Sequence, residues 1–545
     1  MLWGRTARLP LRSGGLALPP APPYSAASNV RISAAILGLL GLAWLLAELP
    51  LLVSAAAIAA VSATLLLLRF PHLIWLGLAV VLPFASGFKI GPISIADCIL
   101  GAAVLLWFAN GVRTNRLRLN TGLLPLLFVI YLLALLLSFR NAIDVREASE
   151  GVIKWLQMLI AILLVQEALT PRQVRWLVWG LLTGAMLQAA LGMYQFVFRI
   201  GPPNFLLLGR FMRAAGTFGQ PNPFAGYLGL TLPVAVALFM LNLTSFVKVS
   251  GTALKQSLTG TVLYGGAAAI IGMGLLASWS RGAWLGTAVS MTVVLLIYGG
   301  RLIKVAALAG TAVLLLLGPA LTRYIPGSLT DRLSDLPAYL GMDMWEVVQQ
   351  PVTDENFSVI ERLAHWIAAL RMWELSPWLG VGPGNYAAVY PQVRLPRWEE
   401  PLGHAHNIYL NVLAENGLLG MFAYLALWTG VVFWLISTRR RILRTENENF
   451  GRLGNVQSPP WTAIPSSAWT AALFLGVLGV IAHLSVHHLF DNLYVQGMYL
   501  HVALWLGAAV ALAKDKLTVT GSASASEPLP GTSQAAAAHP SFRVQ

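Results

Sequence analysis

Long apolar runs separated by short polar stretches fill most of the chain. About fourteen runs are long and apolar enough to be candidate membrane spans. They lie roughly at 33–49, 51–68, 72–86, 95–109, 121–138, 152–167, 174–198, 222–243, 259–278, 282–299, 301–319, 410–436, 468–487 and 493–512. The pattern predicts an all-α polytopic membrane protein with about 12–14 transmembrane helices.

Polar segments flank and divide these runs. Residues 1–32 and 514–545 are low in complexity, and we expect both to be disordered cytoplasmic tails. The apolar spans occupy 33–319 and 410–513, and a polar insertion at 320–409 separates the two groups. An insertion of this length is usually functional or has structure of its own. We therefore expect one large extracytoplasmic loop domain.

A helix is predicted inside the insertion at 358–374. Ser358 and Glu361 fit a capping box at its start, and Ser376-Pro377 ends it. An aliphatic stripe at helical spacing follows the box, made of Ile360, Leu363, Ile367 and Leu370. We expect this helix to pack over the membrane domain with the stripe facing down.

The basic residues set the orientation. They cluster in every second loop, and these loops lie on the same side of the membrane as both termini. Examples are Arg113, Arg172 and the run Arg439–Arg441. By the positive-inside rule that side is the cytoplasm, and the insertion lies outside. The net charge of +14 therefore reflects topology, and we expect no nucleic-acid partner.

Composition supports an integral membrane protein and limits its chemistry. Hydrophobic residues make up 57% of the chain and charged residues only 11%, whereas soluble domains carry about 25% charged residues. The single cysteine, Cys98, excludes an internal disulfide and a multi-cysteine metal site.

Three polar side chains stand out on the outer side: Arg213, Arg281 and His406. An arginine between apolar spans, as at 281, is costly unless it is paired or wet. Guanidinium groups bind phosphates in a bidentate way, so both arginines are candidates to hold a diphosphate. The alternatives are a snorkelling Arg281 and a solvated loop charge at Arg213.

His406 is the candidate base, because imidazole titrates near neutral pH and can take a proton from an alcohol. The alternative is a structural histidine. Asn407 is placed to cap the apolar helix that follows, and Glu415 on that helix needs a polar environment. A metal site at His404 and His406 is the competing interpretation, with His483, His487, His488 and Asp491 near the end of another span. No strong ligand spacing is present, so we predict no metal.

These residues occur in four motifs that resemble the O-antigen ligase and O-antigen polymerase superfamily of bacterial membrane glycosyltransferases. The motifs are RAAGTFGQPNPFAGYL at 213–228, SRGAWLG at 280–286, Arg362 with the glycine turn at 380–384, and His406-Asn407 followed by Gly417-Leu-Leu-Gly420. Their order and shared outer side carry the resemblance, which covers roughly 210–421.

The resemblance implies a GT-C-like transferase of the inner membrane that is active on its periplasmic face. The donor would be a glycan on undecaprenyl diphosphate, and the acceptor a glycolipid, a glycan or a protein. His406 would act as base, and Arg213 and Arg281 would hold the diphosphate, with inversion at the anomeric carbon and no metal or other cofactor. Further substrate contacts would come from Arg210, Arg362, Asn407, Gly382 and Gly384. The sequence alone does not decide whether the glycine turn binds a phosphate through its backbone amides or is a plain turn.

The sequence is also compatible with other functional classes. A transporter or flippase of lipid-linked sugars would suit the number of spans, but it would show no transfer in detergent. A non-catalytic scaffold would tolerate changes at His406 and at the two arginines. Within the superfamily, an O-antigen polymerase or a protein O-oligosaccharyltransferase would share the site and differ in acceptor.

Overall fold

The computed structural model describes residues 50–300, 343–452 and 466–524, apart from short gaps at 88, 91–92, 116, 118, 120–121, 208–209, 248–251 and 354–355. A few scattered residues in 33–44 and 301–308 are also described. The predicted tail 1–32 and most of the predicted spans 33–49 and 301–319 lie outside these residues.

Helices make up most of the described chain. They are α1 (Leu51–Arg69), α2 (Leu73–Val81), α3 (Ile95–Thr114), α4 (Leu123–Ser138), α5 (Val145–Ala168), α6 (Pro171–Phe198), α7 (Pro221–Gly229), α8 (Leu232–Phe246), α9 (Thr252–Ala277), α10 (Arg281–Tyr298), α11 (Met344–Val348), α12 (Phe357–Leu375), α13 (Tyr386–Val393), α14 (Ile408–Arg452), α15 (Ser466–His487) and α16 (Met498–Ser524). Two antiparallel two-residue hairpins pair β1 (Lys89–Ile90) with β2 (Ile93–Ser94) and β3 (Leu206–Leu207) with β4 (Phe211–Met212). The prediction of an all-α polytopic membrane protein is confirmed.

Nine helices of the described residues are long and apolar enough to cross a membrane. They are α3 to α6, the α7–α8 pair, α9, α10, the part of α14 up to Thr445, and α15. Three further apolar helices are shorter, at Val53–Arg69, Leu73–Ala85 and Met498–Lys514. α16 continues to Ser524, so the described chain stays helical beyond 514, where the sequence predicts a tail. The described residues up to Arg69 belong to one unit and those from Phe70 onward to a second, and the site described below lies in the second.

The centre of the second unit is formed by α15, which packs against α8, α10 and α14. Small residues on α15 allow this. A β-carbon at Gly476 would lie 2.6 Å from Cα of Val234, and one at Gly479 would lie 2.7 Å from Cβ of Pro233. Small residues at helix interfaces in lipid let backbones approach closely. These two glycines therefore let α15 pack closely against α8.

The segment between α10 and α14 contains α11, α12 and α13, and α12 lies where the sequence predicts a helix at 358–374. Its buried face includes Ile360 and Ile367 of the predicted stripe. The predicted capping box is wrong. The helix begins at Phe357 with Asn356 as N-cap, because Thr353 and Asn356 bond reciprocally, side chain to backbone, one turn earlier.

A break in α14 joins this segment to the membrane helices. Gly417 has a φ of 61° and a ψ of −165°, a region that is essentially restricted to glycine. The break diverts the amides of Leu418 and Leu419 to the carbonyls of Pro377 and Trp378. These hydrogen bonds hold the turn after α12 against the break.

We expect Gly417→Ala to destabilise the protein, since a β-carbon there would overlap the backbone of Trp378. The backbone conformation alone costs about 1–3 kcal/mol for other residues. Thermal unfolding in detergent measures the change. The matched control is Gly101→Ala in α3, where no atom lies within 4 Å of the added carbon, and where alanine should stabilise by about 0.5–1 kcal/mol. Equal effects of the two substitutions would contradict the proposed constraint.

Candidate functional site

The turn that follows α15, His488–Asp491, is the meeting point of the motif segments. The amide of Ile408 donates to the carbonyl of His488 at 2.9 Å. Nε of Arg362 donates to the carbonyl of Phe490 at 3.4 Å. A β-carbon at Gly282 would lie 3.2 Å from Cβ of Phe490, so the start of α10 packs against the same turn. The histidine motif, the α12 arginine and the arginine turn are thus brought together.

Asp491 faces two histidines. Its Oδ1 lies 3.5 Å from Nδ1 of His406 and 3.9 Å from Nε2 of His404. Asp491 is only 6% exposed, and the amide of Asn492 donates to Oδ1 at 2.8 Å. Burial raises the pKa of Asp491, but the facing imidazoles of His406 and His404 outweigh it and hold the pKa below its ordinary value. The carboxylate therefore stays ionised.

His404 holds the backbone of His406. The amide of His406 donates to Nδ1 of His404 at 3.0 Å, and His406 adopts a φ of 52°, which non-glycine residues rarely adopt. Burial lowers the pKa of His404 to about 4, although Asp491 opposes the shift. His404 is therefore neutral near pH 7, and because Nδ1 accepts a hydrogen bond, its proton lies on Nε2, facing Asp491.

This hydrogen bonding bears on the metal alternative. His404, His406 and Asp491 are of the right types, and their ligand atoms lie within 4.8 Å of one another. A metal on Nε2 of His404 would move the proton to Nδ1, where it would oppose the amide of His406. The arrangement therefore fits an Asp491 carboxylate that faces both imidazoles as a hydrogen-bond acceptor better than it fits a metal centre.

His365 on α12 is a further histidine beside His404, His406 and Asp491. Its ring lies edge-on to His406 with centroids 5.9 Å apart, and stacks on Tyr390 at 4.8 Å. Its Nδ1 contacts the hydroxyl of Tyr386 at 3.0 Å. Burial, with smaller contributions from His406 and His404, lowers the pKa of His365 to about 4.

Asn407 caps α14, as the sequence predicts. Its Oδ1 accepts from the amides of Tyr409 at 3.0 Å and Leu410 at 3.1 Å. Glu415 is buried, and Oε1 accepts from the amide of Tyr386 at 3.2 Å. The polar environment expected for Glu415 is thus supplied by the segment between α12 and α14.

Arg213 is bound to the turn that carries Arg281. Its Nε donates to the carbonyl of Ser278 at 3.0 Å and its Nη2 to Oδ1 of Asn222 at 3.1 Å. Trp279 in this turn has a φ of 55°, and strained backbones of this kind cluster at functional sites. Arg210 is exposed in the loop before β4, with its guanidinium 5.7 Å from the Phe211 ring.

The glycine turn serves close packing. The amide of Gly382 donates to the carbonyl of Glu415 at 2.8 Å, so it is not available to a phosphate. A β-carbon at Gly382 would lie 2.7 Å from Cα of Ala142, and one at Gly384 would meet the carbonyl of Glu147. These contacts favour the plain-turn alternative, and neither glycine enters the site proposed below.

An apolar groove of about 440 Å³ lies beside the arginine turn. The ends of α6 and α9 form its walls with two tryptophans of the turn, and its lining is Met193, Phe196, Val197, Met273, Leu276, Ala277, Trp279 and Trp284. Several of these side chains are exposed, including Val197 and Leu276. Trp279 and Trp284 stand on either side of Arg281 in the chain, so the groove adjoins the turn that also binds Arg213.

Two residues of this site, Asp491 and His365, could not be assigned to it from the sequence. Asp491 was visible only as a possible metal ligand, and His365 was not singled out. The signal for Asp491 was its position just after an apolar span that ends in two histidines. For His365 no comparable signal exists, because one histidine on an amphipathic helix has no distinctive spacing.

Residues 266–425 match a family model described as O-Antigen ligase. The chain carries an O-antigen ligase domain. The ligase domain includes Arg281, Arg362 and His406, whereas Arg213 and Asp491 lie outside the matched range. No curated protein matches the chain. The apolar helices indicate a multi-pass membrane protein, and the match at 266–425 is to the O-antigen ligase and polymerase superfamily of membrane glycosyltransferases, a superfamily that implies lipid-linked glycan and acceptor partners.

The low pKa of His365 in this ligase domain predicts a pH dependence of stability. The unfolded histidine titrates near 6.5 and the folded one at about 4. Between these values the unfolded state binds more protons, so this residue's contribution destabilises the fold as pH falls from about 6.5 toward 4. We expect His365→Gln to lose less thermal stability than the wild type between pH 7 and pH 5, by a few degrees.

The comparison uses each protein's own unfolding temperature in detergent at the two pH values, which isolates the one titrating group. His72→Gln, at the start of α2 and outside the cluster, is the control. Parallel loss in wild type and His365→Gln would show that His365 titrates alike in the folded and unfolded states.

Proposed function

We propose that this protein transfers a glycan from undecaprenyl diphosphate to a hydroxyl acceptor at the extracytoplasmic face of the inner membrane. The observation that supports it best is the ionised, buried Asp491 facing His406 on the turn where Arg362 and the start of α10 also lie. A base, its orienting carboxylate and anion-binding groups are the parts that such a transfer needs.

His406 is the base in this proposal. With its proton on Nδ1 toward Asp491, Nε2 has a lone pair that removes the proton of the acceptor hydroxyl as the oxygen attacks the anomeric carbon. The imidazolium that forms is stabilised by the carboxylate. Asp491 has the role that the aspartate has in other aspartate–histidine pairs. It fixes the tautomer of His406 and balances the charge of the imidazolium.

The arginines hold the leaving group. Arg281 is the first residue of α10, so its guanidinium and the positive end of the helix dipole act on the same anion. Arg213 braces the turn through Ser278 and adds charge beside it. Once this charge is balanced, the diphosphate leaves without an acid or a metal. Attack opposite to it inverts the anomeric centre.

The apolar groove supports a polyprenyl rather than a nucleotide donor. A lipid diphosphate lying with its headgroup at Arg213 and Arg281 would place its tail between α6 and α9. The methionines and tryptophans of the lining suit a flexible, branched hydrocarbon, since both side-chain types adapt to irregular apolar surfaces. A nucleotide would find almost no polar partner there.

His406→Ala tests the reaction. We expect transfer to fall by about 10²–10⁴-fold, the usual contribution of a general base, while donor binding and thermal stability change little. Transfer is measured with purified protein in detergent, where a flippase would show no activity, and donor binding is measured separately. His72→Ala is the matched control and should keep wild-type activity.

Chelators should leave the wild-type rate unchanged. Full activity of His406→Ala would remove the proposed base. Loss of activity with EDTA that zinc restores would favour the metal alternative at the same histidines.

Arg281→Lys tests the anion site. Lysine keeps the charge but not the planar fork, so we expect donor binding to weaken and transfer to fall by roughly tenfold or more, the loss of one charge-assisted hydrogen bond. Arg146→Lys is the control, because Arg146 forms an exposed pair with Glu150 that lysine can replace. Unchanged donor affinity in Arg281→Lys would argue against a diphosphate at this turn.

A further inference from the structure

The turn that follows α12 exposes large apolar side chains next to the membrane helices. Leu375 is 60% and Trp378 63% exposed, and Pro377 between them is exposed as well. Neighbouring exposed apolar side chains mark a surface that another molecule or a membrane covers. We call residues 375–378 the apolar turn.

The apolar turn is fixed to the membrane helices on two sides. The carbonyl of Trp378 accepts from the amide of Leu419 at 3.2 Å, just after the break in α14. From the other side, Asn141, which follows α4, donates to Oγ of Ser376 at 3.0 Å. The depth of the turn in the bilayer is therefore set by the positions of α4 and α14.

The length of α14 shows where that depth lies. The helix carries the basic run Arg439–Arg441, which the positive-inside rule places at the cytoplasmic boundary. The stretch 419–438 before this run has about twenty residues, and a helix of that length spans about 30 Å, the thickness of the hydrocarbon core. The hydrocarbon core therefore reaches its outer limit near Leu419, the residue to which the apolar turn is bonded.

The exposure of side chains marks the same boundary. In the stretch 408–418 of α14, every residue of which the structure describes, no side chain is exposed, whereas Leu419 is 43% and Phe422 63% exposed. In the last turn of α4, Leu137 is 58% exposed. Exposed apolar side chains of spanning helices face lipid, so the lipid-facing surfaces of α4 and α14 both extend to the level of the apolar turn.

We propose that the apolar turn inserts into the outer leaflet, at the boundary between headgroups and acyl chains, and anchors α12 to the bilayer. Tryptophan suits this boundary because its ring has an apolar body and a polar N–H. The proposal goes beyond the proposed function and does not depend on it, because it concerns a lipid surface and not a reacting group.

The anchor acts on the helix that borders the candidate site. α12 carries Arg362, which donates to the carbonyl of Phe490, and His365, whose ring lies edge-on to that of His406. Because α12 is one helix that ends at Leu375, a contact between the apolar turn and the bilayer fixes one end of it. The bilayer surface thereby helps to set the height of α12 over His406.

Spin labels measure the depth of the apolar turn. The single cysteine is first removed by Cys98→Ser, and labels are then attached at Leu375→Cys and at Trp378→Cys in lipid nanodiscs. Two further labels are controls: Glu399→Cys for water, since the Glu399 side chain is 78% exposed, and Phe422→Cys for hydrocarbon. For each label, collision rates are measured with oxygen, which dissolves in acyl chains, and with a water-soluble nickel chelate.

We expect both turn labels to meet the nickel chelate several-fold less often, and oxygen more often, than the label at 399, with values that approach those at 422. Nickel collisions as frequent as those at 399 would place the turn in water and overturn the proposal. Rare collisions with both reagents would also overturn it, because protein, such as a second copy of this chain, would then cover the turn.

The replaced side chains are exposed, so each labelled variant should keep the unfolding temperature of the Cys98→Ser protein. If Trp378→Cys fails to fold, the label at 375 tests the same surface. The measurement needs no substrate, so its failure would leave the proposed function as it stands, and a failure of the proposed function would leave the anchor as it stands.

Discussion

A buried carboxylate is the constraint on which the site depends. Asp491 stays charged because two imidazoles and one amide face it, and they stay in place because the turn His488–Asp491 is held on three sides. A charge removed from water at this depth is costly unless its partners are fixed. The contacts from Ile408, from Arg362 and from the start of α10 are what fix them.

Most of the fold could be predicted from hydrophobic runs, because lipid imposes helices of a minimum length. The loop helix α12 and the Asn407 cap also follow from local rules, which act within one turn. The capping box at Ser358 failed because a different local pair, Thr353 with Asn356, starts the helix sooner. The break at Gly417 could not be predicted, since it depends on the turn after α12 packing against it.

The site was predictable in its residue types but not in its pairing. Arg213, Arg281 and His406 stand out as polar groups beside apolar spans. Their partners are set by tertiary contacts: Asp491 lies 85 positions after His406 in the numbering, and the Ser278 carbonyl that Arg213 binds belongs to another helix end. The tautomer of His404 follows only from the hydrogen bond of the next histidine's amide, which sequence does not show.

The position of Asp491 determines which fragments of the chain contain the complete site. The matched domain ends at 425, yet the carboxylate that faces its histidine comes from beyond α15. A fragment that ends before 487 would contain every matched motif and would still leave His404 and His406 without their acceptor. The domain is thus a unit of sequence similarity and not a portable unit of chemistry. During synthesis, the histidine pair gains its partner only after the last but one described helix has been made.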